Sequence, residues 1–212
     1  MIYSAKHNFL LLKNYKVGGT SLEVELSQIL EESAIVTPID PPSKLHKPRN
    51  FDKFYNHITY SDIEKIIGKD VLEKTESVVF VRNPFDVVLS HMYMSFFFGG
   101  IKNPKDSDVS DYFENKTELN KITSLMSRNI YAKDNVIMVK TVYKYEDGSE
   151  QINETLEKVG INKISIKAKE KNYKPKDISP LDVFTSDQIE SIREDWAWEI
   201  DKFGYSPVPM VL

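Results

Sequence analysis

Residues 8–23 read Asn8-Phe9-Leu10-Leu11-Leu12-Lys13-Asn14-Tyr15-Lys16-Val17-Gly18-Gly19-Thr20-Ser21-Leu22-Glu23. The apolar run Phe9 to Leu12, closed by a turn with adjacent glycines, has the length and composition of a buried strand. Thr20 and Glu23 stand at capping-box spacing, and Leu22, Leu26, Ile29 and Leu30 recur on one helical face. The stretch predicts a strand, a tight turn and a helix. Adjacent glycines let backbone amides converge, and the following helix adds its unpaired N–H groups and positive dipole end. Lys16 adds a full charge, and Thr20 and Ser21 add hydroxyls. Lys16, Gly18, Gly19, Thr20 and Ser21 are therefore candidates to hold a tetrahedral oxyanion. The same residues also suit a plain glycine turn before a capped helix.

Residues 33–39 predict a second strand, closed by Asp40-Pro41-Pro42. Residues 61–68 predict a short helix with Ile63, Ile66 and Ile67 inward and Gly68 as its stop. Residues 77–81 (SVVFV) are apolar and β-branched, the mark of a buried strand. Pro84 then opens a helix at its favoured first position, with Phe85, Val88, Leu89, Met92 and Phe96 on one face and Gly99-Gly100 at its end. A loop over 101–108, a helical region to about 130 and a strand over 136–145 follow. Asp147 and Glu150 cap a helix through 159. Residues 167–176 form a basic loop, and Thr185 and Gln188 cap a last helix that Gly204 ends. Alternating strands and helices predict one α/β domain over 1–212, with a P-loop-like central parallel sheet flanked by helices on both faces. Ligands of such sheets sit at the carboxyl ends of strands, where residues 13–21 and 82–84 fall.

The 212 residues suffice for one sizeable core. With 28 basic and 32 acidic side chains, a net charge of −4 argues against a general nucleic-acid binder. Cysteine is absent, which rules out disulfides, thiolate metal sites and cysteine nucleophiles. Phe9 to Leu12 is too brief for a signal sequence or a membrane span, so a cytoplasmic location is expected.

The second junction reads Arg82-Asn83-Pro84-Phe85-Asp86, with Ser90 about 9 Å along the helix at about 1.5 Å per residue. Arg82 offers a fork of donors suited to a phosphate, and the Ser90 hydroxyl can join it. A P-loop nucleoside triphosphatase or kinase places Lys directly after the last Gly and an acidic residue at a strand end for magnesium. Here Thr20 follows Gly19, Lys16 precedes the glycines, and Arg82 ends the strand.

Together, KVGGTSLE (16–23) and VVFVRNPFDVVLS (78–90) resemble the sulfotransferases that use PAPS, the phosphosulfate of adenosine 3′-phosphate, and look closest to their carbohydrate-type branch. Residues 143–160, beginning Tyr-Lys-Tyr-Glu-Asp, and Asp201 to Tyr205 are similar to further family segments. Val17 and Val87 depart from residues common there. The resemblance implies that Lys16, Gly18, Gly19, Thr20 and Ser21 grip the 5′-phosphosulfate and that Arg82 and Ser90 grip the 3′-phosphate. It implies metal-free, in-line transfer to a hydroxyl or amine acceptor such as a glycan, with Lys16 stabilising charge on the leaving oxygen.

The acceptor must lose a proton. His57, in Tyr55-Asn56-His57-Ile58-Thr59, resembles the segment that carries the base in some carbohydrate sulfotransferases, and histidine titrates near neutrality. Other family members use an acidic residue after the second strand, which is Asp40 here. His7 and His46 read as structural or solvated, and His91 as packing or donor-site lining. The basic loop of Lys167, Lys169, Lys171, Lys174 and Lys176 reads as a solvated charge run or as a flap over an anion. Tyr93, Phe96, Phe97 and Phe98 read chiefly as core. Two other readings stay open: a P-loop-like kinase or NTPase, and a non-catalytic nucleotide-binding protein of the same fold.

Overall fold

A strand that the apolar pattern does not announce comes first. In the computed structural model, which describes residues 1–115, 122–166, 173–175 and 177–209, β1 (Ile2–Ser4) pairs antiparallel with β2 (Phe9–Leu12), Ile2 facing Leu11. The connection over 5–8 is far too short for a parallel crossover, so the pair is a hairpin. Helix α1 (Gly19–Ile29) follows, then β3 (Ile35–Val36), α2 (Tyr60–Ile67), α3 (Lys69–Lys74) and β4 (Glu76–Val81). The chain gathers into two compact units, residues 1–81 with 128–171 and residues 82–127 with 172–212.

The first unit completes its sheet after residue 131. Strands β5 (Ala132–Lys133) and β6 (Val136–Ile137) form a small hairpin, and β7 (Thr141–Lys144) joins the main sheet in the order β3-β1-β2-β4-β7. Strands β2, β4 and β7 are parallel, as expected, and β1 runs against them. Their alternating side chains explain the near-continuous apolar runs. Phe9, Leu11, Val78 and Phe80 point into one cluster with Leu22 and Leu26 of α1, Leu30 just after it, and Ile152 and Leu156. Leu10, Leu12, Val79 and Val81 alternate with them and are equally buried, so along these residues neither face of β2 or β4 meets water, whereas β7 is half-buried. The fold is mixed α/β, with a central sheet flanked by helices.

Several local expectations are corrected. Residues 136–145 are not one strand, because a turn after Ile137 separates the hairpin from β7. Ile29 is 45% exposed and Ile66 38%, so α1 and α2 bury narrower stripes than their apolar residues allow. Asp147 and Glu150 lie in short 3-10 turns, and the helix begins only at Ile152.

In the second unit, α4 (Pro84–Phe98) opens on Asn83, whose side chain accepts from the Phe85 N–H. It is followed by α5 (Asp106–Glu114), which begins inside the expected loop over 101–108. Helix α6 (Ser124–Tyr131) leads back to the first unit, where α7 (Ile152–Lys158) lies. The last expected helix breaks at Trp196 into α8 (Ser186–Asp195) and α9 (Ala197–Phe203). Thr185 and Gln188 form the expected capping box, and Gly204 closes α9 in the left-handed region. Ser124 ties this end together, its hydroxyl donating to Glu199 at 2.6 Å and its N–H to Asp195 at 3.1 Å. Among the described residues, no helix is long and apolar enough to cross a membrane.

Candidate active site

Strand β2 runs directly into Lys13, whose side chain turns inward beneath the glycines. Its Nζ pairs with Glu23 Oε2 at 2.5 Å, and the Met1 amino group pairs with Glu23 Oε1 and donates to Thr37 Oγ1 at 2.5 Å. All of these groups are buried. Burial alone would raise the Glu23 carboxyl pKa, but the Met1 ammonium and Lys13 outweigh it and hold it below its ordinary value. The expected Thr20–Glu23 capping box therefore does not form. Glu23 is drawn into this ion cluster, and the N-cap is Gly18, with no side-chain cap. No acidic residue lies in the first turn of α1 either. Its amino end keeps its positive dipole for an anion.

Asn14 fastens the loop to the sheet. Its Nδ2 donates to the Phe80 carbonyl at 3.3 Å, and its Oδ1 accepts from the Tyr15 N–H at 2.8 Å. Lys16 and Gly18 then adopt left-handed backbones, with φ of 56° and 71°. Gly18 is required twice over, by that φ and by Tyr145, whose ring would lie 2.8 Å from an added Cβ. Gly19 sits 3.2 Å, by the same measure, from the Lys13 side chain. Thr20 and Ser21 are nearly buried at the helix start, where the Ser21 N–H donates to the Gly18 carbonyl at 3.1 Å. The five residues singled out by sequence thus form one continuous stretch of turn and helix start, Gly19, Thr20 and Ser21 being the first residues of α1.

The structure brings His57 to the start of that turn. Its Nδ1 lies 2.9 Å from the Lys13 carbonyl. A carbonyl only accepts, so Nδ1 carries the proton and Nε2 keeps the lone pair. The imidazole stacks on Tyr15, with ring centroids 4.1 Å apart and planes 9° off parallel. Burial, and then the Lys13 charge, lower its pKa to about 3, so the ring is neutral at ordinary pH but is a weaker proton acceptor than the near-neutral titration expected of a histidine implies. His57 too is left-handed, with φ of 60°.

Asp40 is exposed beyond β3, joined to Pro41 by a cis peptide bond. His7 Nδ1 meets the Val159 carbonyl at 3.0 Å, and buried His46 meets the Thr37 carbonyl at 2.8 Å, so both serve structure. In the second unit, Arg82 directly follows β4 and lies 3.6 Å from Asp86, one helical turn on. Ser90 is half-buried on α4. His91 is buried, with Nδ1 2.8 Å from the Tyr112 hydroxyl, and lines a cavity of about 450 Å³ with Phe96, Phe98 and Tyr112. Tyr93 and Phe96 are core, but Phe97 and Phe98 are each 60% exposed and pack against Tyr173. Of the basic loop, Lys167, Lys169, Lys171 and Lys176 lie outside the described residues, and Lys174 donates to the Ile178 carbonyl at 2.6 Å.

Sequence reasoning gave no site role to Tyr15, Lys13 or Glu23. Nothing in local spacing marks Tyr15 as the partner of a histidine far along the chain. A buried Lys–Glu pair leaves no periodic signal, since Glu23 reads equally well as a cap.

No family model and no curated protein matches the chain. Among solved structures, a sulfotransferase from Alicyclobacillus acidocaldarius is similar at a TM-score of 0.47 and 13% identity, over 92% of this chain and 93% of that one.

Proposed function

We propose that the chain is a PAPS-dependent sulfotransferase acting on a hydroxyl or amine acceptor, with a glycan alcohol the first candidate. One observation carries the reading: a strand-to-helix turn with an uncapped, acid-free helix start and Lys16 in its bend meets a neutral, anchored imidazole at Lys13. The donor's chemistry suits these residues, because the turn offers amides, hydroxyls and a cation but no carboxylate. PAPS supplies the sulfuryl group. Lys16 binds the anionic end and stabilises charge on the leaving oxygen, while Gly18, Gly19, Thr20 and Ser21 orient it through backbone and hydroxyl donors. Arg82 and Ser90 take the 3′-phosphate, Asp86 steadying the guanidinium. His57 accepts the acceptor's proton at Nε2.

The test is transfer of radiolabelled sulfate from PAPS across a panel of glycans, amines and small alcohols. Label on at least one acceptor, lost in Lys16→Ala, is the expected result. No transfer to any class, with ATP hydrolysed instead, would turn the reading toward an NTPase.

A further inference from the structure

We propose that Tyr15 is a positioning residue for His57, which with the Lys13 carbonyl fixes the imidazole so that Nε2 is the proton-accepting atom. The inference rests on the reading of His57 as the base and deepens it. A hydrogen bond at Nδ1 pins one atom of the ring and still lets the ring swing about that contact. The parallel stack on Tyr15, 4.1 Å away and 9° from coplanar, removes the remaining freedom by fixing the plane. Tyr15 is itself held: its N–H donates to Asn14, which bonds the Phe80 carbonyl in the middle of the sheet. The Tyr15 backbone, from which the stacking ring springs, is thus tied through Asn14 to β4. Tyr15 also covers one imidazole face, and burial is the first cause of the low His57 pKa. Lys13 is the second cause, the Met1 amine pushes the same way, and Glu23 opposes them. The flat face carries the role, because the stack uses the ring and not the phenol oxygen.

The experiment combines nitrogen-15 spectra of the His57 ring with steady-state transfer from PAPS in the full chain, for wild type, Tyr15→Phe, Tyr15→Leu and Tyr15→Ala. Wild type and Tyr15→Phe should show one neutral Nδ1–H tautomer. Tyr15→Leu, which keeps bulk and so guards against a mere folding defect, and Tyr15→Ala should show exchange between tautomers and titration moving up toward the ordinary histidine value. Their kcat should fall about 10- to 100-fold, the range expected for a misplaced catalytic group, with the donor KM within about twofold. Tyr15→Leu spectra and kcat like wild type would overturn the positioning role, as would Tyr15→Phe behaving like Tyr15→Ala. Transfer that survives His57→Ala would instead overturn the base reading, so the two failures are distinguishable.

Discussion

Lys16 and His57 share a backbone state that side chains rarely adopt. Among the described residues the other non-glycine cases with positive φ are Asn8, Asn50, Asp134 and Asn135, types whose short polar side chains tolerate it. Histidine shares some of that tolerance, so the strain sits chiefly at Lys16, in the bend of the loop, as expected of a site rather than of a turn. His57→Ala should keep binding adenosine 3′,5′-bisphosphate within about twofold while transfer falls at least about 100-fold, the usual worth of a positioned base; calorimetry and the sulfate assay check both halves. Gly18→Ala should cost about 1–3 kcal/mol in urea unfolding, since it adds left-handed strain to a clash with Tyr145. Adding Tyr145→Ala should return only the steric part. His57 also sets a pH dependence. Its folded pKa, about 3, lies below the ordinary value of 6.5, so the unfolded chain binds more protons between the two. Its contribution to stability is therefore complete above about pH 6.5 and is lost as the pH falls toward 3. Urea midpoints of His57→Phe should fall less than those of wild type over that window; parallel curves would contradict the half-buried, neutral imidazole.

At the scale of elements, the sequence discloses what periodicity can carry. β2, α1, β4 and α4 stand where the apolar runs, Gly18 and Pro84 place them. β1 is only Ile2–Ser4, too short to show alternation, and its pairing with β2 depends on a hairpin turn lacking the usual Asn-Gly signal. Residues 136–145 look continuous because the break after Ile137 bears no glycine or proline. The loop's chemistry was legible because glycines and cations are local signals. Its support was not, because Lys13–Glu23 and Tyr15–His57 join separate elements. That support has a measurable worth. Glu23→Ala leaves Lys13 as an unpaired buried ammonium at the join of β2 and α1, and should cost about 3–5 kcal/mol. Lys13→Met in the same background should recover part of that loss by removing the stranded charge; a further loss would contradict the pairing.

For the whole molecule, a central sheet with β2 and β4 parallel and adjacent places the glycine turn directly after β2 and ends β4 at Val81. That order of strand, turn and helix was readable from residues 8–23 and 77–98 alone. The acceptor was not readable, because acceptor groups come from loops without a repeating pattern. The central claim is that the glycine turn holds one end of a nucleotide bearing both a 5′ and a 3′ anion. Thermal unfolding with adenosine 3′,5′-bisphosphate and, separately, with ATP and magnesium tests it most directly. At about a hundred times its Kd, the bisphosphate should stabilise the chain by about 2.7 kcal/mol, a rise in Tm of about 5–10 °C for a protein of this size, with a far smaller rise for ATP and magnesium. Equal shifts for the two nucleotides, or no shift with either, would contradict the account.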